Sequence, residues 1–419
     1  MKVLLLNDLC DPRIGSSIRQ MYQEAERLRE LGHEAMVVST TQDPSEVGES
    51  EILGTPVLRL LSNVSARFRA WGALSNQEVR KPFRKLLSEW KPDIVHSQLL
   101  HSQLSYGALT DARNAGAGVV FTAHDVMTFC YQKLTCFHGG EEHGGELRDY
   151  TARASKCIPC QRFRFRPGRN RAIRRILERD VDRFTVVSDE LGRAISANGI
   201  RVDSTVHNAI REQDELPTEA DLQAFRERFD LVGKQVLAIG GRLHEQKGVV
   251  QLFRMLKELR VEFPALRLLV MGHRKVYDSE FAALSKSIGV DDLVVPTDWL
   301  NGAELQCAYA ATDVFVTPSI CFDTFGLVNL EAMEHSKPVV ATVFGGSQEV
   351  VEDGITGWIE NPLNPEAYAE KIADLLRDPE RAKRMGAAGY LRLREHFTIE
   401  RLTDEYLREY DLALQARPN

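Results

Sequence analysis

The 419-residue sequence contains no apolar run near the roughly 20 residues that a membrane-spanning helix needs. Its opening stretch, Met1-Lys2-Val3-Leu4-Leu5-Leu6, is too short for a signal peptide and runs directly into Asn7-Asp8. That pattern predicts a first strand in a cytoplasmic protein. A strong charge bias is also missing. The chain carries 53 basic and 60 acidic residues, a net charge of -7, which argues against a nucleic-acid partner. There is no low-complexity segment and no sequence-level repeat, and no residue pair reads as a nucleophile with its own general base. Cysteine is sparse as well. The seven cysteines are expected, in a reducing compartment, as free thiols, metal ligands or reactive groups rather than disulfides. What remains is an ordinary composition, 43% hydrophobic and 27% charged, in a chain long enough for two domains.

Apolar runs at 2–6, 35–38, 93–96, 118–122 and 184–187 alternate with helical periodicity. The helical segments are the series Tyr22, Ala25, Leu28, Leu31 and the stretches 79–90, 104–114 and 191–197. Between the first strand and helix lies a polar loop, 7–17, with a small-residue turn at Gly15-Ser16-Ser17. The alternation halts near His207-Asn208-Ala209-Ile210, and 211–218 reads as a linker or loop. It resumes with strands at 236–239, 266–270, 314–316 and 339–341, with 247–261 as the clearest helix between them. After Pro362 the chain is helical and charged. The prediction is an α/β protein with parallel sheets covered by helices on both faces. Its domains are 1–208 and 209–395, with a final helix over 396–419.

The most informative stretch is 318–333, PSICFDTFGLVNLEAM. A buried strand precedes it and a helix begins near Phe325-Gly326, so the loop lies at a strand's carboxyl end, where open α/β sheets bind ligands. The helix start, with Phe325, Gly326, Leu327 and Val328, turns free N–H groups toward that loop, which suits a diphosphate. Asp323 and Glu331 bracket the turn. At helical rise they would share one face about 10 Å apart, a span for one ligand held at two places. A second loop, Gly240 to Gly248, sets Arg242 and Lys247 five positions apart beside a helix start. Two cations there can neutralise a diphosphate leaving group. Gly345-Gly346 with Glu349 follows a later strand and allows close backbone approach. His124 ends the strand Phe121-Thr122-Ala123, placed to bond a sugar hydroxyl or assist charge build-up, with Asp125 as its candidate orienter.

Pro318-Ser319, Phe325-Gly326 and Glu331-Ala332-Met333, in register, resemble the signature of the retaining GT-B glycosyltransferases of family four. The resemblance covers nearly the whole chain. It implies two Rossmann-like, doubly wound domains facing a cleft, with the acceptor on the first and a nucleotide-sugar donor on the second. The last helix would cross back to the first domain. Glu331 would then hold the ribose hydroxyls, and Asp323 the donor sugar, with Asp where the family has Glu. Arg242 and Lys247 match the family's cations in place. Gly15 matches the first of its Gly-Gly pair near the donor phosphates, while Ser16 replaces the second and offers a hydroxyl. His124 matches a family His beside the donor sugar.

The implied activity is retaining transfer of a hexosyl unit from a nucleotide-diphosphate sugar, UDP by preference, to a hydroxyl acceptor. That acceptor would be a sugar, a lipid-linked sugar or a small molecule, in cell-envelope polysaccharide or glycoconjugate synthesis. No cofactor is required, because Arg242 and Lys247 do the neutralising. The alternative is a sugar-nucleotide-binding protein with weak or lost catalysis, motivated by Asp323 and Ser16.

Between His124 and the next helix, 130–160 forms a Cys-rich insertion holding Cys130, Cys136, Cys157 and Cys160. Cys157-Ile158-Pro159-Cys160 has zinc-knuckle spacing, and four thiolates would close a structural zinc site. Unligated thiols, a redox pair and an iron–sulfur centre are the alternatives. Next comes the most basic run, Arg162, Arg164, Arg166, Arg169, Arg171, Arg174 and Arg175, interleaved with Phe163 and Phe165. It reads as a solvated face with Arg packed on Phe rings. A patch for anionic lipid, giving peripheral contact at the membrane's inner face, or for a phosphorylated acceptor is the alternative.

Overall fold

The computed structural model describes residues 1–13, 15–213 and 216–417. Residue 14 of the 7–17 loop, and residues 214 and 215 of the 211–218 loop, lie outside them. The chain divides into two compact units. Unit 1 comprises Met1–Leu134, Asp149–Ala209 and Ile399–Asn419, and unit 2 comprises Thr135–Arg148 and Ile210–Thr398.

In unit 1 the strands are β1 (Lys2–Asn7), β2 (Glu34–Thr41), β3 (Gly48–Ile52), β4 (Thr55–Leu61), β5 (Ile94–Leu99), β6 (Gly118–Ala123), β7 (Arg183–Val186) and β8 (Ser204–Thr205). Among the described residues they form one sheet in the order β3-β4-β2-β1-β5-β6-β7-β8. Pairing is parallel except for the β3–β4 hairpin, whose register brings Ile52 opposite Thr55. The central strands β1, β5 and β6 are buried almost throughout because helices cover both faces, and β5 carries His96, Ser97 and Gln98 inside. Helix Ser16–Glu30 turns Ile18, Met21, Tyr22, Ala25 and Leu28 inward, and Arg27 and Arg29 in its last turn suit the negative end of its dipole. Burying a side chain the size of Ile18, Met21 or Leu28 contributes about 1.5–3 kcal/mol.

The C-terminal helix Ile399–Gln415 completes this core with Ile399, Leu402, Tyr406, Tyr410 and Ala413, all on one stripe. Its anchor is polar. The Tyr410 hydroxyl donates to Glu24 Oε1 at 2.9 Å and meets His96 Nδ1 at 2.7 Å, while His96 Nε2 meets Thr122 Oγ1 at 2.7 Å. Glu24 and His96 are fully buried, so neither can take a water in place of the hydroxyl. Tyr410→Phe should therefore cost about 1–3 kcal/mol, read by denaturant unfolding. An unchanged midpoint would mean that the network does not hold the helix.

Unit 2 carries β9 (Gln235–Gly240), β10 (Leu266–Met271), β11 (Val294–Pro296), β12 (Val314–Thr317), β13 (Val339–Thr342) and β14 (Gly357–Glu360). Among the described residues they pair in parallel in the order β11-β10-β9-β12-β13-β14. The order reverses between β9 and β12, which places the switch point of this sheet at their carboxyl ends. Helix Val249–Glu262 supplies Leu252, Phe253, Met255, Leu256 and Leu259 to the core beneath it.

Candidate active site

The unit 2 site is built from the loops that leave β9, β12 and β13. After β9, a short 3₁₀ turn, Glu245–Lys247, ends at Gly248, whose φ of +77° starts helix Val249–Glu262. A Cβ at Gly248 would stand 1.8 Å from the Pro318 carbonyl oxygen, so only glycine lets these loops meet. They are then joined by backbone: the Ile320 and Cys321 N–H groups donate to the Gln246 carbonyl at 3.0 and 3.2 Å. The result brings Lys247 Nζ to 3.6 Å from Asp323 Oδ2. Burial pushes the Lys247 ammonium down, but attraction from Asp323 and Cys321 outweighs it, so its pKa sits above the ordinary lysine value. Asp323 Oδ2 has no hydrogen-bond partner. Arg242 is exposed at the mouth of the same loop, and its charge is felt by Lys247.

Asp323 does not sit on the helix, so the helical spacing expected between it and Glu331 does not apply. It is extended and bridges Gly345: its N–H donates to the Phe344 carbonyl at 3.0 Å, and its own carbonyl accepts from Gly346 at 2.7 Å. The close approach expected of the glycine pair is thus made to the Asp323 backbone. Helix Leu327–Glu334 follows, with Gly326 as its N-cap and with Leu327 and Val328 half-buried at its start. Glu331 lies one turn inside, where its Oε2 accepts from the Tyr309 hydroxyl at 2.6 Å. Phe325 is buried, with its ring against Phe397 at a centroid separation of 5.8 Å.

Several positioning residues escaped the sequence reading. Thr342 Oγ1 donates to the Ser319 carbonyl at 2.7 Å, and buried Asn329 accepts from Thr317 Oγ1 at 3.0 Å. The 135–148 segment, part of unit 2, supports the same turn. His138 Nε2 meets the Ile320 carbonyl at 2.8 Å and its ring stacks on Phe344 at 4.9 Å. Phe137 packs edge-on against Phe322 and Phe344 at 5.7 and 5.5 Å.

That path also divides the cysteines between the units. Cys136 travels with unit 2, whereas Cys130, Cys157 and Cys160 belong to unit 1. Cys157 and Cys160 lie within helix Ala154–Gln161. Among the described residues no group of three or more His, Cys, Asp or Glu side chains could hold a metal ion. Cys130, Cys136, Cys157 and Cys160, the ligands expected for a structural zinc, make up no such group among the described residues.

Unit 1 has its own set at the carboxyl ends of β1, β5 and β6. Both His124 ring nitrogens are buried without a hydrogen-bond partner, and burial, reinforced by His96, pushes its pKa down to about 4. The ring is neutral at pH 7. Asp125 does not orient it. Its carboxylate bonds His101 Nε2 at 2.6 Å and the Met127 N–H at 2.8 Å. Asp8, also missed, gathers the N–H groups of His101, Ser102 and Gln103 at 3.2 Å and of Leu104 at 2.9 Å. Gly15 is extended, with φ 179°, and a Cβ there would meet nothing within 4 Å, so the turn does not demand glycine. Ser16 opens the following helix, and its Oγ accepts from Arg19 at 3.2 Å.

Known proteins resemble this chain in sequence and fold. Residues 16–209 match the family model for the glycosyl transferase 4-like domain, and residues 223–392 that for glycosyl transferases group 1. A GDP-mannose-dependent alpha-(1-6)-phosphatidylinositol monomannoside mannosyltransferase of Mycolicibacterium smegmatis is 34% identical over 42% of this chain and 48% of its own. A D-inositol 3-phosphate glycosyltransferase of Segniliparus rotundus is 33% identical over 48% of this chain and 47% of its own. The match thus spans about half the length of each of these relatives. Two solved structures match almost end to end. Sucrose-phosphate synthase from Thermosynechococcus elongatus has a TM-score of 0.77 at 18% identity, covering 99% of this chain and 100% of that one. Anabaena HepE in complex with UDP-glucose has a TM-score of 0.72 at 17% identity, covering 98% and 99%. The two units are Rossmann-like domains of the GT-B fold, and the chain belongs to the group 1 glycosyltransferases.

Proposed function

We propose that the protein is a retaining glycosyltransferase that moves a hexosyl unit from a nucleotide-diphosphate sugar, with UDP favoured, to a hydroxyl acceptor in cell-envelope polysaccharide or glycoconjugate synthesis. The observation that carries this reading is the joined pair of strand-end loops that holds Lys247 beside Asp323, with Arg242 at their mouth. As the bond between the sugar and the diphosphate breaks, charge grows on the leaving oxygen. Arg242 and Lys247 supply preorganised positive charge for it, each worth roughly 3 kcal/mol. The acceptor hydroxyl attacks from the same face, its proton passing to that phosphate oxygen. Asp323 binds the donor sugar, Glu331 the ribose, and neutral His124 offers a ring N–H to the sugar. Ser16 and the N–H groups at 325–328 serve the phosphates. The relative named for GDP-mannose and the neighbour solved with UDP-glucose support a sugar-nucleotide donor.

The test is a thermal-shift panel of UDP, GDP, ADP and CDP. One nucleotide at a hundred times its dissociation constant should add about 2.7 kcal/mol of stability. No shift with any of the four would overturn the reading.

A second reading, a binding protein with weak or lost catalysis, is motivated by the shorter Asp323 and by Ser16. Asp323→Glu separates them. The loop is pinned on both sides and its carboxylate already meets Lys247, so a further methylene should crowd the sugar and lower kcat/KM about tenfold. A large rise in turnover would instead mean that the natural site is impaired.

A further inference from the structure

Unit 1 contains a cavity of about 380 Å³ that the donor chemistry does not use. Four of its lining residues are arginines drawn from two distant stretches: Arg67 and Arg69 from 66–72, and Arg164 and Arg169 from the basic run. Among the described residues none of the four forms an ion pair with a carboxylate. Arg169 is only 2% exposed, yet its guanidinium is met by neutral groups alone. Its Nη2 donates to the Met127 carbonyl at 2.6 Å and its Nη1 to Asn170 Oδ1 at 2.9 Å, and it lies 4.8 Å over the Tyr131 ring. Its Nε is buried without a hydrogen-bond partner.

Arg69 is half-buried, with Nη2 donating to the Tyr131 carbonyl. Burial and the nearby Arg169 and Arg164 push its pKa down, against a pull from Asp125 that is shared with His101. At the rim, Arg67 and Arg164 hold their guanidinium groups 5.3 and 5.7 Å from one Phe163 ring. Placing four like charges around one cavity, one of them wholly desolvated, is unfavourable unless an anion completes the site.

We propose that this cavity binds the phosphoryl group of the acceptor, so that the acceptor is a phosphorylated sugar or polyol. The inference rests on the transferase reading for the word acceptor. Arg forks match phosphate oxygens in pairs, and the volume suits a small phosphorylated molecule rather than a bare ion. Gln132, on the lining, adds an amide for hydroxyl groups.

The test titrates the full chain calorimetrically with inorganic phosphate, glucose 6-phosphate and glucose, and runs the nucleotide panel on the same samples. Phosphate and glucose 6-phosphate should bind and glucose should not. The rim variant Arg67→Gln/Arg164→Gln, whose side chains are exposed and so are spared a folding role, should weaken that binding at least about tenfold. It should leave the nucleotide shift intact. Phosphatidylinositol vesicles separate the sources. Sedimentation with the vesicles that glucose 6-phosphate competes away, and that the variant loses, assigns the phosphoryl group to a lipid headgroup. Binding of the soluble compounds alone assigns it to a soluble acceptor. If neither the phosphates nor the vesicles bind while a nucleotide does, the cavity proposal is overturned and the transferase reading stands. If the phosphates bind and no nucleotide does, the transferase reading fails and the anion site stands.

Discussion

Lys247→Ala lowers kcat about 10²- to 10³-fold, measured with the sugar conjugate of whichever nucleotide stabilises the protein. The reason is geometric before it is electrostatic. The Gln246 carbonyl, bonded by the Ile320 and Cys321 N–H groups, fixes the 3₁₀ turn that presents Lys247, so the ammonium meets developing charge without reorganising. Asp323 keeps that ammonium charged despite its burial, since its pKa lies above the ordinary lysine value. A charge that assists only when the diphosphate leaves should appear in kcat more than in KM. The substitution also deprives Asp323, a side chain only 9% exposed, of its counter-charge, and a loss of activity could follow from that alone. Thermal melting of the same variant tells the two apart: a kcat loss at a parent-like melting temperature belongs to the missing charge, and a lowered melting temperature to the uncompensated Asp323. Wild-type turnover in Lys247→Ala would remove Lys247 from the mechanism.

Which parts of this protein can be read from its sequence follows from where each signal resides. The strands β1, β6, β9, β12 and β13 are short apolar runs because parallel strands are buried on both faces, and such runs stand out between polar loops. The β3–β4 hairpin does not stand out. Its edge strand, Gly48–Ile52, alternates two glutamates with its other residues, and its turn is Leu53-Gly54 at φ +48° and +69°, where Asn-Gly would have been the recognisable pair. The strands β8 and β11, of two and three residues, fall below the length at which periodicity speaks, and β14 mixes Gly, Trp, Ile and Glu without an apolar run.

The same distinction holds at the site. Arg242, Lys247 and Asp323 follow strand ends, and their spacing within a loop is itself a pattern. Asn329, Thr342 and Tyr309 act through contacts made across the fold, which no local spacing encodes. The cysteines lie the other way, since their spacing is conspicuous in the sequence but does not reveal that 135–148 joins the other unit. The arginine cavity was half legible. The run from Arg162 was conspicuous, but Arg67 and Arg69, about a hundred positions earlier, were not.

Gly345→Ala carries the largest expected structural cost, although the change is a single methyl. Gly345 adopts φ +98°, a backbone region that disfavours any Cβ, and a Cβ built there would lie 2.0 Å from the Asp323 carbonyl oxygen and 2.9 Å from the Asp323 nitrogen. No side-chain rotation relieves a contact between two backbones. One strand of the pair must move, and the bond between the Gly346 N–H and the Asp323 carbonyl goes with it. Strain and the lost bond together amount to about 2–4 kcal/mol. The displacement falls on the residue that faces Lys247, so nucleotide binding and turnover should drop together, even at temperatures where the variant is folded. Gly15→Ala is the matched control. That glycine is extended and has nothing within 4 Å of a Cβ, so its substitution should leave stability within about 0.5 kcal/mol. Chemical denaturation of both variants decides the point. A Gly345→Ala protein as stable as the parent would mean that Asp323 is not held by this bridge, and its place beside Lys247 would then need another cause.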